Sequence, residues 1–262
     1  MSVRPQLGRM VMVVPTYNEA DNLEWIVERT LAAIPATDVL VVDDGSPDGT
    51  GDIADDLASR HERVSVLHRT EKAGLGAAYV HGFAVALERG YDVVGEMDAD
   101  GSHQPEQLPL LLEALADADL VIGARWIEGG SVVNWSRFRK ALSVGGNRYA
   151  RLALGIRVHD VTAGFRLFRA DTLRTIDLDS VESIGYCFQT DLTLRTLRAG
   201  LTVREVPIEF LERVRGESKM NRSVATESLR RITVWGLESR AAQVRDVLSK
   251  ARRPRRAQEV DR

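Results

Sequence analysis

Through the first half of the chain, short β-branched runs alternate with helix-length segments, and each run stops at a cluster of polar residues. Met10–Val14, Val39–Val42, Val64–Leu67, Asp92–Met97 and Leu120–Ala124 read as strands. Helices are expected between them over Glu19–Ile34, Asp52–Arg60, Gly74–Glu88 and Pro105–Ala116. Leu23, Ile26, Val27 and Leu31 recur at helical spacing, and Pro105 sits where a first turn tolerates proline. Nearly unbroken apolar strands imply a sheet covered on both faces, and their alternation with helices specifies an α/β fold built on a mainly parallel sheet.

From Gly129 the pattern changes. Ser136–Leu154 reads as helical, Asp160–Arg166 as a loop, and Val203–Phe210 as one further strand. Glu227–Leu248 is amphipathic, with Leu229, Ile232, Leu237, Ala241, Val244 and Leu248 near one face. No internal repeat, low-complexity tract or linker interrupts the chain, so residues 1–250 are expected to form one domain. Residues 251–262 are expected to be a disordered basic tail.

A chain of 262 residues that is 44% hydrophobic can build a core without covalent staples. The single cysteine, Cys187, excludes an intrachain disulfide framework and a cysteine-rich zinc site, and fits a reducing compartment. No apolar run approaches the roughly 18 residues of a membrane span, and the N-terminus lacks the apolar core of a secretory signal. The expectation is a soluble, intracellular protein. A net charge of −3 argues against a general nucleic-acid binder, the one strongly basic stretch being Lys250–Arg256.

Ligands of open α/β sheets bind beyond the carboxyl ends of the strands. Here those ends carry Pro15-Thr16-Tyr17-Asn18-Glu19, Asp43-Asp44-Gly45-Ser46-Pro47-Asp48-Gly49-Thr50, Asp98-Ala99-Asp100-Gly101-Ser102-His103, and Arg125. Asp98 and Asp100, two residues apart where a strand frays, can both turn toward one hard divalent cation, Mg²⁺ or Mn²⁺. A polar turn closing the strand is the plainer reading. Asp43 and Asp44 either cap the following helix or accept hydrogen bonds from a base or ribose. Tyr17 either stacks on a base or is a loop aromatic. Lys72–Gly82 holds Gly74 and Gly76 at a helix entry but fits neither a P-loop nor a dinucleotide fingerprint, so its glycines read as packing residues.

In the second half, Arg137, Arg139 and Lys140 gather at a helix start, and Arg213, Arg215 and Lys219 in a glycine-containing loop. Such cations suit a diphosphate or a lipid phosphate, or form a solvated surface. His103 and His159 read as structural or exposed, and Cys187 as buried.

Taken together, VVPTYNEADNL, VVDDGSPDGT, LGAAYVHG, MDADGSHQPEQL and IGARWIEGG resemble the inverting family-2 glycosyltransferases. NWSRFRKALS, HDVTAGFRLFR, GYCFQTDL, VREVPIEF and ERVRGESKM narrow the resemblance to dolichol- and polyprenol-phosphate mannosyltransferases, and among them to actinobacterial polyprenol-monophosphomannose synthases. The resemblance implies a GT-A domain that transfers mannose from GDP-mannose to a polyprenyl phosphate. Residues 10–125 would be the nucleotide-sugar half and residues 126–250 the acceptor half with interfacial helices.

It further implies a nucleotide pocket of Pro15, Tyr17, Glu19, Val42 and Asp44, with Asp98, Ala99 and Asp100 against the diphosphate. Asp100 and Asp98 would ligate the metal, with Ser102 a third ligand directly or through a bridging water. Arg125, Arg213 and Lys219 would clamp donor phosphates, Arg139 would meet the acceptor phosphate, and Asp191 would at most orient. The catalytic set is then Asp98, Asp100 and Arg213. The acceptor implies a protein peripheral to the cytoplasmic face of a membrane, and some relatives depend on a membrane-anchoring protein partner. A UDP-dependent polyprenyl-phosphate glucosyltransferase and a non-catalytic nucleotide-sugar-binding scaffold are the alternatives.

Overall fold

A computed structural model describes residues 7–70, 74–181, 187–213, 229–238 and 240. The strands β1 (Met10–Thr16), β2 (Thr37–Asp43), β3 (Val64–His68), β4 (Val93–Glu96) and β5 (Leu120–Ala124) alternate with the helices α1 (Leu23–Ala33), α2 (Thr50–Arg60), α3 (Leu75–Glu88) and α4 (Leu108–Leu115). There follow β6 (Ser131–Val133), α5 (Arg137–Leu154), β7 (Arg166–Arg169), α6 (Ala170–Thr175), α7 (Cys187–Arg198), β8 (Val203–Pro207) and β9 (Glu209–Leu211). Residues 229–238 are helical, so the described part of the expected Glu227–Leu248 helix forms as such; the rest, and the basic tail, lie outside the described residues.

Seven strands form one sheet in the order β3-β2-β1-β4-β7-β5-β8, and β6 and β9 pair separately. Within the large sheet only β7 runs antiparallel to its neighbours, β4 and β5. The alternation of side chains along a strand divides the core in two. Val11 and Val13 of β1 with Leu40 and Val42 of β2 face α3 and α7, against Tyr79, Phe83 and Phe188. Met10, Met12 and Val14 with Val39 and Val41 face α1, α2 and α4, against Leu23, Ile26, Leu57 and Leu111. Close packing of α3 on the sheet depends on Gly82, where a Cβ would sit 2.5 Å from Val13 Cγ1.

Three expectations need correction. The segment taken to end as a loop at Arg166 continues into β7, the strand that joins β4 to β5. Its sequence, Arg-Leu-Phe-Arg, gives only two apolar residues and so no strand-length run. The three-residue β6 was likewise not anticipated, and Val203–Phe210 is two strands, because Ile208 turns the chain from β8 into the small sheet.

At the β4–β7 seam, Glu96 lies opposite Arg166 with both side chains fully buried and Oε1 3.1 Å from Nε. The guanidinium donates to the carbonyls of Ala163, Val161 and Gln189 and to Thr193 Oγ1 at 2.6–3.0 Å. Neither Glu96 oxygen has a hydrogen-bond partner. Burial outweighs the adjacent positive charge and pushes the Glu96 carboxyl up to about 8. Because the folded form holds its proton up to that pH while a solvated glutamate loses it near 4.5, stability falls as pH rises between them. Urea unfolding of wild type and Glu96→Gln at pH 5 and pH 8 is expected to show the wild type losing ground to the variant at the higher pH. Arg166→Leu, which removes a buried donor from the Ala163, Val161 and Gln189 carbonyls and from Thr193, is expected to cost about 3–5 kcal/mol.

Candidate active site

The parallel register aligns Pro15 with Val42 and Thr16 with Asp43, so the expected pocket residues of the first two strands share one edge. Asp43 organises the turn there: it accepts from Thr16 Oγ1, from the Ser46 N–H and from Ser46 Oγ at 2.6–3.0 Å. Asp44, 6% exposed, pairs with Arg69. Glu19 is buried, its N–H donating to Thr50 Oγ1 and its carboxylate accepting from Asn22 Nδ2, both at 2.9 Å. Tyr17 and Pro15 are half-buried at the mouth of this edge.

Beyond β4 the chain turns through Asp98-Ala99-Asp100-Gly101-Ser102-His103. Gly101 makes the turn with φ +73°, and a Cβ there would lie 2.5 Å from Trp25 Cζ3. The turn is braced from α1, where Arg29 lies over the Trp25 ring and donates to Gln104 Oε1 at 2.8 Å. Asp100 Oδ1 accepts from the Ser102 N–H at 2.9 Å, and Asp100 Oδ2 pairs with Arg213 Nη2 at 2.8 Å. Arg213 arrives there because the strand before it is tied to the turn, with the Leu211 N–H donating to the Ser102 carbonyl at 3.0 Å. Tyr79 Oη donates to Asp98 Oδ1 at 3.3 Å from the opposite side. Burial, then the charges of Asp100 and, further off, Glu19, push the Asp98 carboxyl up to about 7.

This crowding is the test of a metal. Two neighbouring carboxylates, one pushed up first by burial and then by the charge of the other, form a donor set that a divalent cation stabilises. No group of three or more candidate ligands occurs among the described residues. Mg²⁺ uses one or two carboxylates and takes its remaining oxygens from phosphates and water. The residues present therefore fit Mg²⁺ or Mn²⁺. Ser102 contributes its backbone to Asp100, as given above.

His103 is no base in this arrangement. It stacks on Phe165 with centroids 5.2 Å apart, meets Phe210 edge-on at 5.1 Å, and burial pushes it down to about 4. Its Nδ1 accepts from the Asp98 N–H at 3.3 Å, which makes it a wall of the site. His159 is exposed and pairs with Glu205. Asp191 is paired with Arg195 at 2.8 Å, and Arg195 also binds the carbonyls of Ile176, Asp177 and Ser180. Cys187 is buried, as expected.

Arg125 differs from its expected part as a phosphate clamp. Its Nε and Nη2 form a bidentate pair with the fully buried Asp160 at 2.8 and 2.7 Å, and Nη2 also reaches Thr162 Oγ1 at 3.0 Å. The guanidinium faces Trp135 and Phe210 rather than open solvent. Asp160, not singled out in the sequence, captures this fork because its carboxylate has no water to satisfy it. Arg139 lies 3.9 Å over the Trp135 ring and pairs with Glu212 at 2.7 Å, next to Arg213. Lys219 lies outside the described residues. Glu96, Arg166, Tyr79 and Asp160 were missed as parts of the site; a glutamate closing an otherwise apolar strand was the one available signal.

The acidic strand edge and the sheet order are those of a GT-A glycosyltransferase. The model of "Glycosyl transferase family 2" matches residues 11–177, and the chain belongs to that family. It is 56% identical over 232 residues to an undecaprenyl-phosphate mannosyltransferase of Micrococcus luteus, covering 88% of this chain and 96% of the relative. It is 52% identical over 249 residues to a polyprenol monophosphomannose synthase of Mycolicibacterium smegmatis, covering 94% of each. Among solved structures, glucosyl-3-phosphoglycerate synthase from Mycobacterium tuberculosis superposes with a TM-score of 0.63 at 20% identity, covering 88% of this chain and 79% of that one. The mannosyltransferase PcManGT from Pyrobaculum calidifontis, in complex with GDP-Man and Mn²⁺, gives 0.55 at 18%, covering 93% and 76%.

With Arg125 and Asp160 acting as a structural pair, Arg125→Ala and Asp160→Ala are each expected to lose about 3–5 kcal/mol in urea unfolding, whereas the double variant loses less than their sum.

Proposed function

We propose that this protein transfers mannose from GDP-mannose to a polyprenyl monophosphate with inversion, dependent on Mg²⁺ or Mn²⁺. The observation that carries this reading is the crowded Asp98–Asp100 pair facing Arg213, in a chain 56% and 52% identical, over 88% and 94% of its length, to two enzymes named for mannosyl transfer to polyprenyl phosphates. Pro15, Tyr17, Glu19, Val42 and Asp44 would hold the guanosine along the aligned strand ends. Asp98, Ala99 and Asp100 would lie against the diphosphate, with Asp98 and Asp100 holding the cation. When bound, the cation supplies positive charge that stabilises the departing diphosphate.

Arg213, lying against Asp100, is positioned to transfer its hydrogen bonds to phosphate oxygens as charge develops on them. Lys219 would assist, and Arg139, adjacent to Arg213 through Glu212, would meet the acceptor phosphate. An acceptor phosphate oxygen forms the new bond to the anomeric carbon while the bond to GDP breaks, its electron pair leaving on the β-phosphate. The acceptor is already an anion, so no general base is needed. This agrees with a neutral, walled-in His103 and with Asp191 tied to Arg195.

The acceptor requires the protein to work at a membrane surface. No helix among the described residues is long and apolar enough to cross one. The proposal is a peripheral association with the cytoplasmic face through α5. Phe138, Leu142 and Leu152 of α5 are 78%, 57% and 67% exposed on one stripe. The same helix carries Arg137, Arg139, Lys140, Arg148 and Arg151 and no acidic residue. Apolar side chains flanked by cations suit an interface with anionic lipid.

The decisive experiment is a transfer assay with polyprenyl phosphate, Mg²⁺ or Mn²⁺ and a panel of GDP- and UDP-sugars. Mannolipid formed from GDP-mannose is expected, and a UDP-glucose preference would replace the donor assignment. Asp100→Ala is expected to lower transfer by at least about 10²–10³-fold with an unchanged melting temperature. Replacing Phe138 and Leu152 with serine is expected to reduce sedimentation with anionic liposomes while leaving GDP binding intact.

A further inference from the structure

Gln189 stands in the first turn of α7, a helix whose place the proposed mechanism does not use. The residue is 3% exposed, and its side-chain Oε1 has no hydrogen-bond partner. Its backbone is held firmly. The Gln189 carbonyl accepts from Arg166 Nη1 at 2.7 Å and from Thr193 Oγ1 at 2.8 Å. Arg166 in turn is seated opposite Glu96, two residues before Asp98. The start of α7 is thereby fixed relative to the acidic turn.

Where the side chain goes is given by Gly164. A Cβ built there would lie 3.8 Å from Gln189 Nε2, 3.8 Å from Asp98 Oδ2 and 3.7 Å from His103 Cε1. These three groups therefore converge on Gly164, where a methyl would stand in ordinary contact with each, and the space beside its Cα is a small recess. One wall is a carboxylate of the proposed cation site, another the buried amide, and a third the edge of a neutral imidazole. A buried amide acceptor without a partner is rare in a folded protein and calls for a physical explanation, and a bound hydroxyl supplies one. The chemistry of the recess selects its occupant. An alkyl chain would satisfy neither the Asp98 carboxylate nor the amide. A neutral polyol satisfies both, since a hydroxyl donates to one acceptor and accepts from an N–H in the same step.

We propose that Gln189 reads a hydroxyl group of the donor sugar and so determines which hexose is transferred. The proposal rests on the nucleotide-sugar reading given above and extends it to the sugar itself. Arg166 acts through it as a positioning residue.

The test measures kcat/KM for wild type, Gln189→Leu and Gln189→Asn with GDP-mannose and with its monodeoxy analogues, alongside GDP affinity by calorimetry. Gln189→Leu is expected to lose about tenfold to a hundredfold with GDP-mannose. With one deoxy donor, the one lacking the hydroxyl that is read, the variant and the wild type are expected to perform alike. GDP affinity is expected to be unchanged, and Gln189→Asn, whose amide is drawn back by one methylene, to fall between. Equal losses across every donor, or a parallel loss of GDP affinity, would show a structural role and overturn the proposal.

If the leucine variant fails to fold, Gly164→Ala tests the same recess by filling it. A selective rise in KM for the sugar nucleotide over GDP supports the assignment, and none overturns it. Should the wild type transfer a sugar other than mannose, only the donor assignment fails. The deoxy series of that other sugar then tests Gln189 in the same way.

Discussion

The meeting of Glu96 and Arg166 inside the sheet is the contact on which the geometry of the site depends. Two ionisable side chains without solvent, one on β4 and one on β7, join the strand that ends in the acidic turn to the strand that brings in the second half of the chain. Arg166 spends its donors on the loop before β7 and on the start of α7. One guanidinium thus sets the distances among Asp98, Gly164 and Gln189. An apolar pair of similar volume would give the sheet as much stability or more. What it would not give is directional attachment of three backbone carbonyls.

The site is assembled from groups that are individually unfavourable where they stand. Asp98 is pushed toward neutrality by burial and by its neighbours, and His103 is held neutral between two aromatic rings. Arg213 offsets part of the negative charge at Asp100. A cluster of carboxylates restrained in this way is costly on its own, and the free energy that maintains it comes from the two apolar layers beneath it.

Much of this was legible in the sequence, and the parts that were not share a cause. The first five strands follow from continuous apolar runs, and the acidic ends of those strands from the polar residues that stop them. β7 was not legible, because a four-residue strand with arginine at both ends carries no periodic signal. The family resemblance assigned Arg125 to the donor phosphates. It is engaged here by Asp160, 35 positions away in sequence. The pairing of two such residues depends on the path of the chain between them, and local patterning does not encode that path.

The order of apolar runs and polar junctions alone therefore determined the fold class and the edge of the sheet where chemistry occurs, because burial of strands and helices is periodic and local. The tertiary structure alone decided which cations pair at the acidic turn and which pair with carboxylates in the core. It also decided which buried amide faces the acidic turn and which apolar stripe of α5 is left uncovered. Those outcomes are set by distances between residues remote in sequence, and electrostatic energies depend steeply on such distances and on the loss of water around the charges.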